Sequence, residues 1–229
     1  MRLHRNNDFS NVPFCVPHPP RIELLIQIEM KKDTSRATAQ LFSFIELVLH
    51  LKSVKRSGWI SKAGISSPES VSDHTYAMCA IGMILSDMFG FDTERVLKMI
   101  IIHDLPESIT GDHMPGEITR KRKRIEEKRV MTSILHQMPS TIRSNYRKLW
   151  EEYQTNKTQI ARFVHKLDKL EMAMQAIQYI NDGYPNKSLI TFLSSARRSL
   201  IKSKDDHNNH GHSDVMLEIL NSLENNIVK

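Results

Sequence analysis

The segment that decides the fold is an apolar run that ends in a histidine, an aspartate and a proline: Thr93-Glu-Arg-Val-Leu-Lys-Met-Ile-Ile-Ile-His103-Asp104-Leu-Pro106-Glu107-Ser-Ile-Thr-Gly111-Asp112. Thr93 is the predicted N-cap, and the acidic Glu94 suits the first turn of a helix. The run from Val96 to Ile102 is too continuous for a surface helix, so it predicts a buried one. Pro106 ends this helix, because proline cannot continue a helix freely and restricts the residue before it.

Two ionisable residues stand at the end of this apolar helix. Burying His103 and Asp104 without partners would be costly, and a divalent metal suits imidazole and carboxylate together. Adjacent helical positions project about 100° apart, so both side chains can reach one ion beyond the helix end. Glu107 lies near the same place in the chain. The simpler alternative is that the pair only caps the helix, and the other histidines and carboxylates of the chain decide between the two.

The composition excludes several classes of protein. The 229 residues suffice for one domain with tails, and sparse glycine and proline among charged helix formers predict an all-α fold. Two cysteines supply neither a disulfide framework nor a Cys-rich zinc site, and they suit a reducing, cytoplasmic location. No apolar run approaches the length of a membrane span. The net charge of +6 fits an anionic substrate or weak association with nucleic acid equally well.

The chain divides into four predicted parts. Residues 1–37 form a proline-rich N-terminal extension that we expect to be poorly ordered, with organellar targeting as a weaker alternative. Residues 38–202 form the main helical domain, residues 203–213 a polar, histidine-rich loop, and residues 214–229 a C-terminal helix. A histidine-rich tract could bind a metal, but a solvated loop is the favoured interpretation for His207, His210 and His212.

Helical periodicity predicts the other elements of the main domain, at about residues 38–55, 69–89, 142–153, 158–180 and 189–201, with a further helix beginning at residue 119. The buried side of the second helix is predicted to comprise Tyr76, Ala77, Ala80, Ile81, Ile84, Leu85 and Met88. The densest basic stretch, residues 119–129, is interpreted as a solvated helix face, with contact to phosphate or nucleic acid as the alternative.

Four residues could together form one metal site. His74 lies in the opening turns of the second helix, and His103 and Asp104 end the apolar helix described above. Asp168 borders the apolar stripe of the helix at 158–180, where an acid needs a counter-charge. Two imidazoles and two carboxylates suit Mn²⁺, Fe²⁺, Co²⁺, Zn²⁺ or Mg²⁺. Such a set leaves positions on a six-coordinate ion for water and a phosphate oxygen.

The order His…His-Asp…Asp resembles the HD-domain metal-dependent phosphohydrolases, and among them the 5'-deoxynucleotidase branch. The similarity rests on the segments Arg56-Ser-Gly-Trp59, Pro68-Glu-Ser-Val-Ser-Asp-His74, Ile102-His-Asp-Leu-Pro-Glu107, Gly111-Asp112, Leu149-Trp-Glu-Glu-Tyr153 and Phe163-Val-His-Lys-Leu-Asp168-Lys-Leu-Glu-Met172. It implies an HD-domain helical bundle with a metal at its centre, and a homodimer. It also implies hydrolysis of deoxynucleoside 5'-monophosphates with Mn²⁺, Co²⁺ or Mg²⁺ as cofactor, Zn²⁺ or Fe²⁺ being alternatives.

The resemblance assigns roles to particular residues. It implies that one metal ion is held by His74, His103, Asp104 and Asp168. Glu107 is implied as the group that helps activate the attacking water. With Asp112 and the backbone carbonyl of His113, Glu107 also resembles a second, weaker cation site. Arg56 and Trp59 match the substrate-pocket segment, where Arg56 would clamp the phosphate and Trp59 would pack on the sugar or base.

Two departures from the family pattern bear on these roles. Ser57 and Gly58 separate an arginine and a tryptophan that are adjacent in bacterial relatives, and His113 replaces an apolar residue. Two alternative functions stay open at this point. One is an HD phosphohydrolase that acts on another nucleotide or a cyclic diester. The other, less favoured, is a non-enzymatic nucleic-acid binder that uses the basic residues 119–129.

Overall fold

The computed structural model of the protein describes residues 35, 37–113, 119–184, 186–202 and 210–225. The chain divides into the units Met1–Ala39 and Gln40–Lys229, and nearly all described residues belong to the second. The predicted N-terminal extension, apart from residues 35 and 37, lies outside the described residues. Most of the predicted histidine-rich loop, residues 203–209, also lies outside them.

The described residues form helices and no β-strand, so the predicted all-α fold is confirmed. One isolated antiparallel bridge joins Lys55 and Ser70. The helices are α1 (residues 37–50), α2 (Ser57–Ala63), α3 (Val71–Phe89), α4 (Thr93–His103), α5 (Glu107–Thr110), α6 (Arg120–His136), α7 (Ser140–Thr155), α8 (Gln159–Asn181), α9 (Asn186–Lys202) and α10 (His210–Asn225).

Several helix boundaries differ from the predictions. The first helix ends at residue 50, before a turn at residues 51–53, and the short helix α2 was not predicted. Gly64 ends α2 in the left-handed region with φ of 68°, a conformation that glycine adopts without steric cost. At the C-terminal end, α10 begins at His210, four residues before the predicted start. His212 therefore lies in a helix, where its ring stacks on that of Phe89 at 4.3 Å.

The centre of the domain is α8. Its N-cap is Thr158, whose hydroxyl accepts a hydrogen bond from the backbone N–H of Ala161, so the predicted start is confirmed. The helix packs against α3, α4, α7, α9 and α10. It is therefore buried on several sides, and it can present polar side chains to the interior wherever a neighbouring helix offers partners.

The buried face of α3 differs from the predicted one. Tyr76, Ile84 and Met88 are exposed by 77%, 55% and 64%, and the core contacts come from the stripe Val71, His74, Met78, Gly82 and Leu85. Gly82 explains the choice of face, because a Cβ atom there would lie 2.7 Å from Ile100 Cδ1 and 2.8 Å from Leu167 Cδ2. The absence of a side chain lets α4 and α8 approach α3 closely, and this orientation turns His74 inward.

The helix α4 carries the deciding segment to the interior. Its N-cap is Asp92, one residue before the predicted Thr93, and the Asp92 carboxylate accepts a hydrogen bond from the backbone N–H of Arg95. His103 is its last residue and Asp104 its C-cap, as the sequence predicts. Pro106 then starts the single turn of α5, which brings Glu107 back toward the same point. None of the helices described here has the length and apolar character required to cross a membrane.

Candidate metal centre and substrate pocket

The four residues predicted as metal ligands lie together, His74 in the first turn of α3, His103 and Asp104 at the C-terminal end of α4, and Asp168 in the middle of α8. His74 Nε2 lies 3.4 Å from Asp168 Oδ1 and 3.8 Å from Asp104 Oδ2. His103 Nε2 lies 3.2 Å from the same Asp104 oxygen. One ligand atom from each of His74, His103 and Asp168 falls within 4.8 Å of the others. Since metal–ligand bonds are about 2.0–2.2 Å long, donors at these separations can surround a single ion.

Unpartnered buried atoms show that these residues fit a cation. His74 Nε2, Asp104 Oδ2 and Glu107 Oε2 are buried and have no hydrogen-bond partner among the described residues. Leaving such groups unpaired is costly, and buried polar atoms are normally satisfied. A divalent cation placed among them would serve the imidazole and the carboxylates at once. The donor set therefore suits a divalent metal centre.

His74 and His103 each have a hydrogen-bond partner at Nδ1, which leaves Nε2 available to a metal ion. His74 Nδ1 lies in hydrogen-bond contact with the Glu171 carboxylate, and His103 Nδ1 with the backbone carbonyl of Ile100. An acceptor at Nδ1 keeps the single proton of the neutral ring there, so a ring that binds a cation presents the lone pair of Nε2 to the centre. Glu171 was not among the predicted site residues. Its position one turn after Asp168 on α8 was a usable signal, because residues three apart share a helix face.

The carboxylates give the centre a strong preference for positive charge. Burial and the Arg56 guanidinium lower the pKa of His74, but contacts with Asp168 and Glu171 outweigh both and raise it to about 10. Burial also lowers the pKa of Arg56, yet the carboxylates of Asp104 and Asp168 raise it above its ordinary value. Positive charge is thus stabilised where the four ligand side chains meet.

Glu107 lies beside the centre with a perturbed carboxyl group. It is 6% exposed, and burial raises its pKa well above the usual range, with Asp104 and Asp112 raising it further. A carboxyl group with a raised pKa exchanges protons closer to neutral pH than an ordinary one. This environment suits the role of a proton acceptor for an attacking water.

The groups of the second cation site suggested by the sequence have partners in the protein. The Asp112 carboxylate accepts a hydrogen bond from the backbone N–H of Ser57 at 2.7 Å. Lys123 Nζ donates to the backbone carbonyl of His113 at 3.4 Å and lies 4.0 Å from Glu107 Oε1. An ammonium group therefore contacts two of the three groups, and the second site stays a prediction.

A cavity of about 650 Å³ opens onto the metal centre. Arg56, at the N-terminus of α2, reaches it with a guanidinium nitrogen 3.7 Å from Asp104 Oδ2. Lys62, Lys123 and Lys169 add positive charge to its wall, whereas Phe192 and Met172 supply apolar surface. The volume lies within the usual range of small-molecule sites. The wall also carries the carboxylates Asp104, Glu107, Asp112, Glu127 and Asp168, so an anionic ligand would be held here by a bound metal and the four cations together.

The basic residues within 119–129 do not all lie on the solvated face of α6. Lys123 and Glu127 of α6 line the cavity, with Lys123 Nζ 3.6 Å from Glu127 Oε1. Lys121, Arg124 and Lys128 are exposed on another surface of the helix. The interpretation of residues 119–129 as a solvated face therefore holds for these three cations and fails for Lys123.

Trp59 is a buried wall residue of the cavity. It is 2% exposed, and its Nε1–H donates to Glu69 Oε1 at 2.9 Å. Its ring packs edge-on against Tyr179, with the ring centroids 5.3 Å apart. It also packs against Phe192, with the ring centroids 4.4 Å apart. The residue thus lines the cavity as the sequence suggests, but most of its surface is used for packing inside the protein.

An all-helical fold around two histidines and two aspartates defines the chain as a metal-binding helical protein. The model of the HD domain family matches residues 48–207. The chain therefore belongs to the HD-domain family. The mouse (Mus musculus) protein named 5'-deoxynucleotidase HDDC2 is 37% identical over 147 residues, which cover 64% of this chain and 73% of that protein.

Two further comparisons agree with this assignment. The protein named 5'-deoxynucleotidase hdd1 from Schizosaccharomyces pombe is 34% identical over 154 residues, covering 65% of this chain and 77% of its own length. Among solved structures, the PH0347 protein from Pyrococcus horikoshii OT3 superposes with a TM-score of 0.57 at 30% identity, covering 80% of this chain and 97% of that one.

Proposed function

We propose that this chain is a metal-dependent 5'-deoxynucleotidase, a hydrolase that converts deoxynucleoside 5'-monophosphates to deoxynucleosides and phosphate. The observation that carries the proposal is the set of buried side-chain atoms without a hydrogen bond on His74, Asp104 and Glu107, of which Asp104 and Glu107 line the cavity together with Arg56 and Lys123. The relatives named above bear the same activity in their names. Mn²⁺, Co²⁺ and Mg²⁺ are the proposed cofactors, with Zn²⁺ and Fe²⁺ as alternatives.

The ligands divide the work at the centre. His74, His103, Asp104 and Asp168 would hold the ion, which when bound supplies Lewis-acid activation of water and of the phosphoryl oxygens. Glu107 Oε2 is buried beside them, has no other described partner, and accepts the proton of the attacking water.

Arg56 and Lys123 meet the charge of the substrate. The Arg56 guanidinium, 3.7 Å from Asp104 Oδ2, can donate to the phosphate next to the ligands. The Lys123 ammonium lies 4.0 Å from Glu107 Oε1, so it approaches the same region from α6. Both cations stabilise negative charge that accumulates on the phosphoryl oxygens during the reaction.

We propose in addition that the protein forms a homodimer in the cytoplasm. On α1 the apolar residues Leu41, Ile45, Val48 and Leu49 are exposed at spacings of three to four residues, so they share one face of the helix, and a contiguous apolar surface of this kind is typical of association sites. Two cysteines without a disulfide framework suit a reducing compartment.

The test is phosphate release from dAMP, dCMP, dTMP and their ribonucleotide counterparts, each with Mn²⁺, Co²⁺ and Mg²⁺. We expect turnover of the deoxynucleotides, and a loss of about 10²-fold or more in Glu107→Gln with the metal still bound, because this change removes the base and keeps the shape. Turnover of a cyclic diester alone would favour another HD phosphohydrolase. Salt-dependent DNA binding without any turnover would favour the nucleic-acid binder.

A further inference from the structure

Two glutamates, the buried Glu171 and the half-buried Glu69, lie behind His74 and outside the cavity wall. Glu171 on α8 is 2% exposed and contacts His74 Nδ1. Glu69 lies next to them, and one ligand atom from each of Glu69, His74 and Glu171 falls within 4.8 Å of the others. None of these three residues is among those that line the cavity. Both glutamates therefore lie outside the cavity wall, and they reach the site through the residues that they contact, His74 for Glu171 and Trp59 for Glu69.

Each glutamate is tied to a different part of the site. Glu69 accepts a hydrogen bond from Trp59 Nε1, and its backbone N–H donates to the hydroxyl of Tyr179 on α8 at 2.9 Å. Glu171 stands one turn after Asp168 on that same helix. A single helix therefore supplies a metal ligand, the acceptor that orients a second ligand, and the anchor of the neighbouring glutamate.

We propose that Glu171 is a positioning residue for the metal centre, which holds the Nδ1–H of His74 so that Nε2 faces the ion, and that Glu69 supports it from the side of Trp59. The inference rests on the metal site used by the proposed function. A carboxylate at the outer nitrogen fixes the tautomer and orientation of a ligating imidazole and increases the basicity of the inner nitrogen. The angle at which His74 presents Nε2 then depends on the packing of α3 against α8.

A different arrangement would place the ion among Glu69, His74 and Glu171 themselves. The hydrogen bonds speak against it. His74 Nδ1 is already bonded to Glu171, and a Glu69 oxygen is bonded to the Trp59 indole. His74 Nε2, on the opposite edge of the ring, is the nitrogen without a hydrogen-bond partner among the described residues. The ion therefore belongs on the Nε2 side, with the glutamates outside its coordination sphere.

The test is the affinity of the full chain for Mn²⁺. Binding is measured from the electron paramagnetic resonance signal of the free ion, which falls as Mn²⁺ is bound. Glu171→Gln keeps an acceptor at Nδ1 but removes its charge, and it should weaken Mn²⁺ binding by about 10–100-fold with an unchanged number of ions bound per chain. Glu69→Gln should have a smaller effect in the same direction. The exposed Glu218 on α10 offers a matched control, since Glu218→Gln makes the same chemical change away from the centre.

Two further measurements separate positioning from a loss of structure. Glu171→Asp retains the charge, so it should bind Mn²⁺ more tightly than Glu171→Gln even if both variants lose thermal stability. Two-bond ¹H–¹⁵N spectra of the Mg²⁺-loaded protein should show His74 protonated at Nδ1 in the wild type, and a mixture of tautomers in Glu171→Ala.

Three outcomes would overturn the proposal. One is Mn²⁺ affinity in Glu171→Gln equal to that of the Glu218→Gln control. Another is no advantage of Glu171→Asp over Glu171→Gln. The third is loss of the bound ion in Glu69→Gln and Glu171→Gln but not in Asp168→Ala, which would place the metal among the glutamates. A wild-type chain that binds Mn²⁺ but hydrolyses no deoxynucleotide would refute the proposed function alone, because the affinity measurement does not depend on turnover.

Discussion

Replacing Trp59 by phenylalanine tests whether this residue belongs to the core or to the substrate contacts. The change keeps an aromatic ring but deletes the indole N–H, which donates to Glu69 Oε1 at 2.9 Å. A half-buried carboxylate thereby loses its donor, which costs about 1–3 kcal/mol. For a chain of this size each kcal/mol corresponds to roughly 2–4 °C in Tm. We therefore expect a clear fall in Tm with little change in the overall fold.

The pH dependence of this loss follows from the ionisation of Glu69. Burial and the neighbouring Glu171 raise the pKa of Glu69 from 4.5 to about 7, although the hydrogen bond from Trp59 lowers it. The folded protein thus keeps a proton that the unfolded chain releases near 4.5, so this group makes stability fall as the pH rises from 4.5 to about 7. Trp59→Phe removes a contact that favours the charged form. Its destabilisation should therefore be larger at pH 8 than at pH 5.

The assay is thermal unfolding of both proteins at several pH values, with Trp150→Phe as the matched control. Trp150 is 5% exposed, but its Nε1 has no partner among the described residues, so the same exchange removes no hydrogen bond that the structure shows. An equal fall in Tm for the two variants, or a pH-independent difference, would refute the reasoning. The kcat/KM ratio for dAMP over AMP adds a second readout. If Trp59 is only a core residue, the ratio in Trp59→Phe equals that of the wild type. A ratio closer to one in the variant would show that the indole contacts the sugar.

Two other variants test the site directly. Asp104→Ala should abolish metal binding and activity together, because it removes a ligand and leaves buried groups without their partner. A fully active, metal-loaded variant would disprove the ligand assignment. Lys123→Ala should lower kcat/KM by about 10–100-fold, the effect of removing a charged hydrogen bond of about 1.5–3 kcal/mol, without changing metal content. Lys121→Ala, on the exposed surface of the same helix, is the control for Lys123→Ala. Equal kcat/KM values for the two variants would show that Lys123 is a solvated residue with no role in the reaction.

The sequence predicted which polar residues come together better than it predicted the buried faces of the helices. A histidine and an aspartate at the end of an apolar run are informative, because burial makes unpaired polar groups costly. The α3 helix carries two apolar stripes, and its periodicity alone cannot tell which one faces the core. Gly82 decides the matter through its close approach to Ile100 and Leu167, which are distant in sequence. The same limit applies to α6, where the direction of Lys123 depends on how that helix docks.

Sequence similarity identified the segment of Trp59 as part of the pocket, but the structure uses most of this side chain for packing inside the protein. Ser57 and Gly58 place Trp59 in the first turn of α2, where the ring packs against Tyr179 of α8 and Phe192 of α9. Sequence similarity could locate this segment beside the site, but it could not show that the indole nitrogen is already bonded to Glu69. The isolated bridge between Lys55 and Ser70 joins the segments that precede Trp59 and follow Glu69, and such a contact between segments is not visible in the sequence.

These contacts make α8 the element that positions both the candidate metal centre and the wall of the cavity. Asp168 and Glu171 stand one turn apart on it, and Tyr179 further along accepts from the backbone of Glu69 and packs on Trp59. A shift of α8 relative to α3 would therefore displace a ligand, the acceptor behind His74 and the wall of the cavity at the same time. Gly82 lets Leu167 of α8 pack close to the backbone of α3, because a Cβ atom at this position would lie 2.8 Å from Leu167 Cδ2 and would push the two helices apart. The close packing of this helix pair thus helps to hold His74 and Asp168, the proposed metal ligands, in register.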